Sequence, residues 1–145
     1  MKVISPFGPK IAKLKFSNRL IEKINFEVDQ ILSKERLLKK LDYSKKLVGQ
    51  VKQEILLPKN FIKQFLAKKI SQSIKDYIKS TTGKIPKNVK IKNFWVVSQF
   101  SHEYNPVHYH DGHVSGVGYL KVPNFNINGK ELITNGTIDF INGNK

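Results

Sequence analysis

The chain has no cysteine among its 145 residues. A disulfide framework and a thiolate metal site are therefore both excluded. Any metal ion would have to be bound by His, Asp or Glu, and these nitrogen and oxygen donors favour iron, manganese, nickel or zinc. A sequence without cysteine is also typical of a reducing compartment, so we expect a cytoplasmic location.

Long apolar runs are missing too, so no segment is predicted to span a bilayer and we expect no membrane partner. Residues 1–16 are interrupted by proline and lysine, which a signal peptide does not tolerate in its apolar stretch. Hydrophobic residues still make up 39% of the chain, enough for one core. The length fits a single domain, 1–145.

Positive charge is concentrated in the first part of the sequence. Residues 1–92 contain 23 Lys or Arg and 7 acidic residues, a net charge of +16, whereas residues 93–145 have a net charge of −1. A basic face of this kind can attract nucleic acid. However, 24 of the 26 cations are lysine, and arginine is the usual residue for reading bases and clamping phosphates. Solubilising helix faces therefore explain the charge at least as well.

Residues 1–88 are predicted to be mainly helical. A helix capped by Ser17 or Asn18 is indicated by apolar positions three and four apart, namely Leu20, Ile21, Ile24, Val28, Ile31 and Leu32. Residues 47–58 are predicted to be extended. A second helix is expected to follow Pro58 and to end near Gly83, with an apolar stripe made of Phe61, Ile62, Phe65, Leu66, Ile70, Ile74, Tyr77 and Ile78.

From residue 89 the apolar period changes to two, which is typical of strands. Residues 89–92 alternate apolar and lysine, and strands are predicted at 94–100 and 114–122. Asn128-Gly129 and Asn135-Gly136 are hairpin turn signals. The sequence thus predicts an α+β protein with a helical, basic part at 1–88 and a β part at 89–145.

Three of the four histidines lie within six positions, at His108, His110 and His113. On a strand, His108 and His110 point to the same face and can bind one ion. Asp111 is the nearest carboxylate that a following turn can bring back. The alternative is three polar loop histidines without an ion, because His-x-His on its own is a weak signal.

A longer run, FWVVSQFSHEYNPVHYHDGHVSGVGYLKVP at 94–123, is more specific. It resembles the 2-oxoglutarate- and Fe(II)-dependent oxygenases of tailed marine phages and some marine bacteria. The resemblance depends on Trp95, Asn105-Pro106, His108-x-His110 and the stretch from Ser115 to Pro123. The upstream segment 47–58 is also similar to that family.

The resemblance implies a double-stranded β-helix (a jelly-roll, cupin-like core) with the N-terminal helices packed against one sheet. It implies a hydroxylase with Fe(II) as cofactor and 2-oxoglutarate as co-substrate, in the host cytoplasm if a phage encodes it. The expected metal ligands are His108, His110 and Asp111. His110 stands where many relatives have Asp, so two His with a carboxylate and three His both remain open. Expected contacts to the co-substrate come from Tyr119, Ser115 and Gln99.

The sequence departs from the family at its C-terminal end. The family takes a distal iron-binding His and an arginine for 2-oxoglutarate from later strands, but this chain has no His after 113 and no Arg after 36. We therefore expect a β-helix incomplete at its C-terminus and an inactive 145-residue chain, or a site completed by a second subunit of a homo-oligomer. Two other functions remain open: a cupin-like metal-binding protein of other chemistry, and a non-catalytic basic nucleic-acid-binding module.

Overall fold

The computed structural model describes residues 1–6, 8–123, 126–127, 130–131 and 136–141, and these residues form an α+β fold. In chain order the elements are β1 (Lys2–Ile4), β2 (Ile11–Lys13), α1 (Asn18–Leu32), α2 (Glu35–Leu41), a 3₁₀ turn (Ser44–Lys46), β3 (Gln53–Leu56), α3 (Lys59–Phe61), a π-helical turn (Ile62–Leu66), α4 (Ala67–Thr82), β4 (Trp95–Ser98), β5 (Asn126–Ile127) and β6 (Lys130–Glu131).

Helix α1 follows the predicted apolar stripe. Ile24, Val28 and Ile31 are its buried residues, and their spacings of four and three place them on one face. The helix begins after Ser17, as predicted, although the Ser17 side chain makes no capping hydrogen bond. It ends where the backbone N–H of Ser33 donates to the carbonyl oxygen of Asp29, 3.0 Å away.

The second predicted helix forms as one helical run from α3 through the π-helical turn to α4. Phe61 and Leu66 are both buried, although residues five apart in an α-helix lie about 140° from each other around the axis. The π-helical turn lets both side chains reach the core. The run ends at Gly83, as predicted, in the left-handed region with φ of 73°. Within the described residues, no helix combines the length and apolar character needed to span a membrane.

The main core lies between α1 and the α3–α4 run. Its buried members are Ile24, Val28, Leu57, Phe61 and Leu66. Partly buried apolar residues complete it: Leu20, Leu32, Ile62, Phe65, Ile70, Phe94, Val96 and Leu120. The chain after β4 therefore contributes one residue, Leu120, to this described cluster.

Strands β3 and β4 pair antiparallel, with Glu54 opposite Val97 and Leu56 opposite Trp95. Both lie inside segments predicted to be extended, 47–58 and 94–100. Beside them, β1 and β2 form a separate hairpin, and β5 pairs with β6 on either side of Asn128-Gly129. The turn residues 128 and 129 themselves, like Asn135 and the C-terminal residues 142–145, lie outside the described residues.

Two predicted strands are not formed by the described residues. Segment 89–92 has its apolar side chains half-buried and its lysines exposed, as the alternation predicts, but it has no strand partner. Segment 114–122 also runs without a partner. Alternation fixes which side chains share a face, whereas a strand also needs a second backbone to hydrogen-bond. Because the described strands pair only in twos, the double-stranded β-helix stays a prediction.

The β1–β2 hairpin is attached to the end of α4. The Tyr77 hydroxyl donates to the carbonyl oxygen of Lys10 at 2.7 Å, and Lys10 Nζ donates to the carbonyl oxygen of Thr81 at 2.6 Å. The first sixteen residues of the part predicted to be mainly helical therefore contain a β-hairpin.

Candidate metal centre

The candidate site is held on the β3–β4 pair by the turn that follows β4. Glu103 organises this turn: its Oε2 accepts from the backbone N–H of Phe100 at 3.0 Å, and its Oε1 accepts from that of Lys52 at 3.2 Å. His102 takes a positive φ of 64° inside the turn. Tyr104 lies two residues after His102, and its carbonyl oxygen accepts a hydrogen bond from the backbone N–H of Gln50 at 2.9 Å. These hydrogen bonds fix the start of the histidine segment (residues 105–113) relative to the β3–β4 pair.

His108 and His110 are brought together, although residues 108–110 do not form the strand that the sequence predicts for them. Their Nε2 atoms lie 3.1 Å apart, and their ring centroids are 4.7 Å apart in an edge-on arrangement. His108 Nδ1 lies 2.7 Å from the carbonyl oxygen of Pro106. Because a carbonyl only accepts, Nδ1 of a neutral His108 carries the proton, and its Nε2 lone pair accepts from the Nε2–H of His110.

This arrangement fits the donor chemistry of a metal site. A ligating histidine commonly donates its other ring N–H to a backbone carbonyl, as His108 does to Pro106. Two ligand nitrogens about 2.1 Å from one ion are separated by about 3 Å when they occupy neighbouring, right-angled positions. The observed Nε2–Nε2 separation of 3.1 Å matches that spacing. The two imidazoles are thus suited to two adjacent coordination positions.

Two aromatic side chains, one on β4 and one just before the 3₁₀ turn, form a stack that ends at His110. Trp95 on β4 lies with its ring centroid 5.9 Å from that of His110. Tyr43 packs on Trp95 at 6.1 Å, and Asn93 donates to the Tyr43 hydroxyl at 3.2 Å. The tryptophan that the family resemblance singles out therefore contacts a candidate ligand.

Asp111, the predicted carboxylate ligand, is exposed and faces Lys92 instead of the imidazoles. The Lys92 ammonium donates to Asp111 Oδ2, and this hydrogen bond is the largest cause that lowers the pKa of the Asp111 carboxyl group. His113 is exposed and has no described hydrogen bond. In the part of the chain that the structure describes, no three His, Cys, Asp or Glu side chains are grouped to hold a metal ion.

The predicted co-substrate residues are not brought together with the imidazoles. Gln99 donates its side-chain amide to the carbonyl oxygen of Glu103 at 2.6 Å, which stabilises the turn after β4. Ser115 and Tyr119 are exposed, and neither has a hydrogen bond or ring contact within the described residues. Their assignment to 2-oxoglutarate binding stays a prediction.

Glu54 is a functional candidate that the sequence reasoning missed. It lies on β3 with a side chain 2% exposed, and within the described residues its Oε2 has no hydrogen-bond partner. Burial is the largest cause that raises the pKa of this carboxyl group; Asp42 raises it further, and His108 lowers it. A single carboxylate in the otherwise apolar stretch EILLP was the available signal.

Gly49 explains how Glu54 and the histidine segment come close. A Cβ atom at Gly49 would overlap the side-chain oxygen of Asn105 and lie 3.1 Å from Oε1 of Glu54. A side chain at position 49 would force Asn105 or Glu54 to shift. The Leu-Val-Gly segment before β3 and the Asn-Pro before His108 are therefore in direct contact.

The chain matches no protein-family model, no curated protein and no solved structure.

Proposed function

We propose that this chain provides the metal-binding part of an Fe(II)- and 2-oxoglutarate-dependent oxygenase that hydroxylates its substrate. The observation that supports the proposal most is the pair of Nε2 atoms 3.1 Å apart at His108 and His110. Their setting in the 94–123 run, with its resemblance to such oxygenases, selects this chemistry among those open to two imidazoles. Completion of the jelly-roll core, by later strands or a second subunit, belongs to the same proposal.

Each residue of the site has a defined task in this proposal. His108 and His110 hold the metal through Nε2, and the Pro106 carbonyl keeps the His108 ring in the required tautomer and orientation. Trp95 packs against the His110 ring and limits its rotation. The bound iron with 2-oxoglutarate supplies O₂-dependent C–H hydroxylation with release of succinate and CO₂.

The experiment is anaerobic addition of Fe(II) and then 2-oxoglutarate to the 145-residue chain. We expect Fe(II) binding, followed by the visible charge-transfer absorption that a chelating 2-oxo acid gives with Fe(II). His108→Ala and His110→Ala should each abolish metal binding, whereas His113→Ala, in the same segment, should retain it. Equal metal binding by all three variants would contradict the proposed site.

The same titration separates the oxygenase from a cupin-like metal protein of other chemistry. Metal binding that depends on His108 and His110, but without any spectral response to 2-oxoglutarate, would favour the second. Succinate release under O₂ is then measured on a longer chain, if the reading frame provides one.

A cavity favours a second candidate function, binding of a nucleic-acid backbone. This cavity, of about 330 Å³, lies between the β1–β2 hairpin and α4. Its lining includes four lysines, Lys2, Lys13, Lys15 and Lys69, together with the buried Ser73 and one acidic residue, Asp76. A concave surface with this excess of positive charge attracts phosphate groups.

Fluorescence anisotropy with a labelled single-stranded oligonucleotide at several salt concentrations tests this second candidate. The variant Lys13→Gln/Lys15→Gln/Lys69→Gln should bind more weakly, and its salt slope should fall by about 0.7 for each lost phosphate contact. The control Lys84→Gln/Lys87→Gln/Lys90→Gln removes the same charge outside the cavity. An equal loss in both variants would show that only net charge matters.

A further inference from the structure

The buried carboxyl group of Glu54 lacks a compensating partner in the described structure. Its side chain is 2% exposed, and no donor is within hydrogen-bond distance of Oε2 in the described residues. An ionised carboxylate in such a place is strongly unfavourable unless a cation, a metal or hydrogen-bond donors compensate its charge. The carboxyl group therefore either stays protonated, in keeping with its raised pKa, or is compensated by a positively charged partner when ionised.

Glu54 also lies beside the histidine segment. Its Oε1 and the side-chain oxygen of Asn105 both approach the same side of Gly49. The backbone bond from Gln50 to Tyr104 ties the two segments together immediately beside this contact. His108 follows Asn105 by three residues, so the imidazole pair begins a short distance along the chain from this contact.

We propose that Glu54 is the carboxylate that compensates the charge of a divalent cation bound by His108 and His110. This inference rests on the proposed metal site and names a residue that the oxygenase resemblance does not supply. A negative charge shielded from water acts on a nearby cation more strongly than an exposed one. The two neutral imidazoles bring no charge of their own, so Glu54 adds the affinity for a doubly charged ion.

Asp111 is the competing carboxylate, and its surroundings disfavour it. Its side chain is 81% exposed and already paired with Lys92. Solvent and the ammonium group both screen its charge from an ion at the imidazoles. Glu54 is shielded from solvent, and no cation is paired with it among the described residues.

The test is isothermal titration of the metal-free 145-residue chain with Co²⁺, a divalent probe that does not oxidise readily. Glu54→Gln should weaken binding by about 10-fold or more, the usual effect of removing a residue that supports metal ligands. Glu54→Asp, which keeps the charge, should bind more tightly than Glu54→Gln. Asp111→Asn should have a smaller effect than Glu54→Gln, and Asp139→Asn is the matched control.

A second measurement excludes a general loss of structure. Thermal unfolding of the metal-free Glu54→Gln variant should occur at or above the wild-type midpoint, because the amide keeps the shape and removes a buried charge. The rise in midpoint on adding Co²⁺ should shrink in the same variant. A rise as large as that of the wild type would overturn the proposal.

The outcomes separate this inference from the proposed function. If His108→Ala loses Co²⁺ binding while Glu54→Gln binds as wild type, the metal site stands and the role of Glu54 is overturned. A larger loss in Asp111→Asn than in Glu54→Gln would transfer the role to Asp111. If the wild type binds no Co²⁺, or His108→Ala binds as wild type, both proposals fail.

Discussion

The helical part of the chain and the histidine segment are stabilised in different ways. The part up to β4 contains all of the described buried hydrophobic residues, in α1, in β3 and on either side of it, and along the α3–α4 run. The segment after β4 exposes large apolar side chains, including Val107 at 81% and Tyr109 at 78%. The backbone hydrogen bond from Gln50 to Tyr104 and the Glu103 carboxylate attach its start. Further along, His110 contacts Trp95, Asp111 pairs with Lys92, and Leu120 packs on the core.

This difference shows which part of the molecule can tolerate change. Burial of apolar surface stabilises the helical part, so its stability depends on shape and volume. The histidine segment buries little apolar surface and is held by a few contacts, so substitutions there should affect stability less. We expect substitutions in the two parts to separate into stability effects and binding effects.

The largest expected effect comes from Ile31, which is fully buried in α1. Ile31→Ala should lower the free energy of unfolding by about 2–5 kcal/mol, because it leaves a cavity in the core. Val117→Ala, at a position 63% exposed, should change it by less than about 0.5 kcal/mol. Urea unfolding of both variants measures the two changes in unfolding free energy. Similar losses would mean that the two parts do not differ in how they are stabilised.

Gly49 joins the two parts and should give the next largest effect. Gly49→Ala should lower the free energy of unfolding by about 1–3 kcal/mol, because its Cβ overlaps the Asn105 side chain and crowds Glu54. Adding Asn105→Gly should recover part of this loss. Gly116→Ala is the control, since nothing lies within 4 Å of its Cβ position. If Gly49→Ala lost no more stability than Gly116→Ala, the Asn105 side chain would move aside without cost and the predicted crowding would be wrong.

At Gly83 the effect should come from backbone conformation alone. Its φ is 73°, and no atom lies within 4 Å of the position that an added Cβ would take, so Gly83→Ala meets strain without a clash. We expect a loss of about 1 kcal/mol in unfolding free energy. Gly83→Asn should lose less, because asparagine tolerates the left-handed region better. Equal losses in urea unfolding would point to another cause than φ.

The smallest effect should be at Asp42, an exposed residue of the helical part. Its Oδ1 accepts from the Ser44 hydroxyl at 2.7 Å and from the Ser44 backbone N–H at 3.0 Å. These bonds, the hydroxyl first, lower the pKa of Asp42, so its stabilisation is present above the unfolded-state pKa and is lost as pH falls through the folded-state value. Asp42→Asn should lose less than about 0.5 kcal/mol at pH 7 and nothing at low pH.

Chemical unfolding of Asp42→Asn at several pH values checks this sign. A difference from wild type that grows as the solution is acidified would be inconsistent with a lowered pKa. A small loss at Asp42, together with a small loss at Val117, would show that exposed side chains contribute little to the free energy of unfolding in either part.

The helices were predictable from the sequence because their signals are local. The spacing of Ile24, Val28 and Ile31, and the glycine at 83, act within one or two helical turns. The approach of His108 to His110 is local in the same sense, since the two residues are separated by one position.

What the sequence did not predict depends on contacts between distant segments. Glu54 is buried because β4 pairs with β3, and Asp111 faces Lys92 from nineteen positions away. The apolar periodicity of a segment indicates which of its side chains share a face. It does not indicate which other segment packs against that face. For the same reason it predicted strands at 89–92 and 114–122, where the described backbone has no neighbour.

The β3–β4 pairing also has a consequence for synthesis on the ribosome. β3 ends at Leu56 and its partner begins at Trp95. At a synthesis rate of roughly 5–20 residues per second, β4 is therefore made about 2–8 seconds after β3. The helices between them form within microseconds once released. The helical core can therefore assemble first, and Glu54 is closed off from water only when the strand that leads to the histidines arrives.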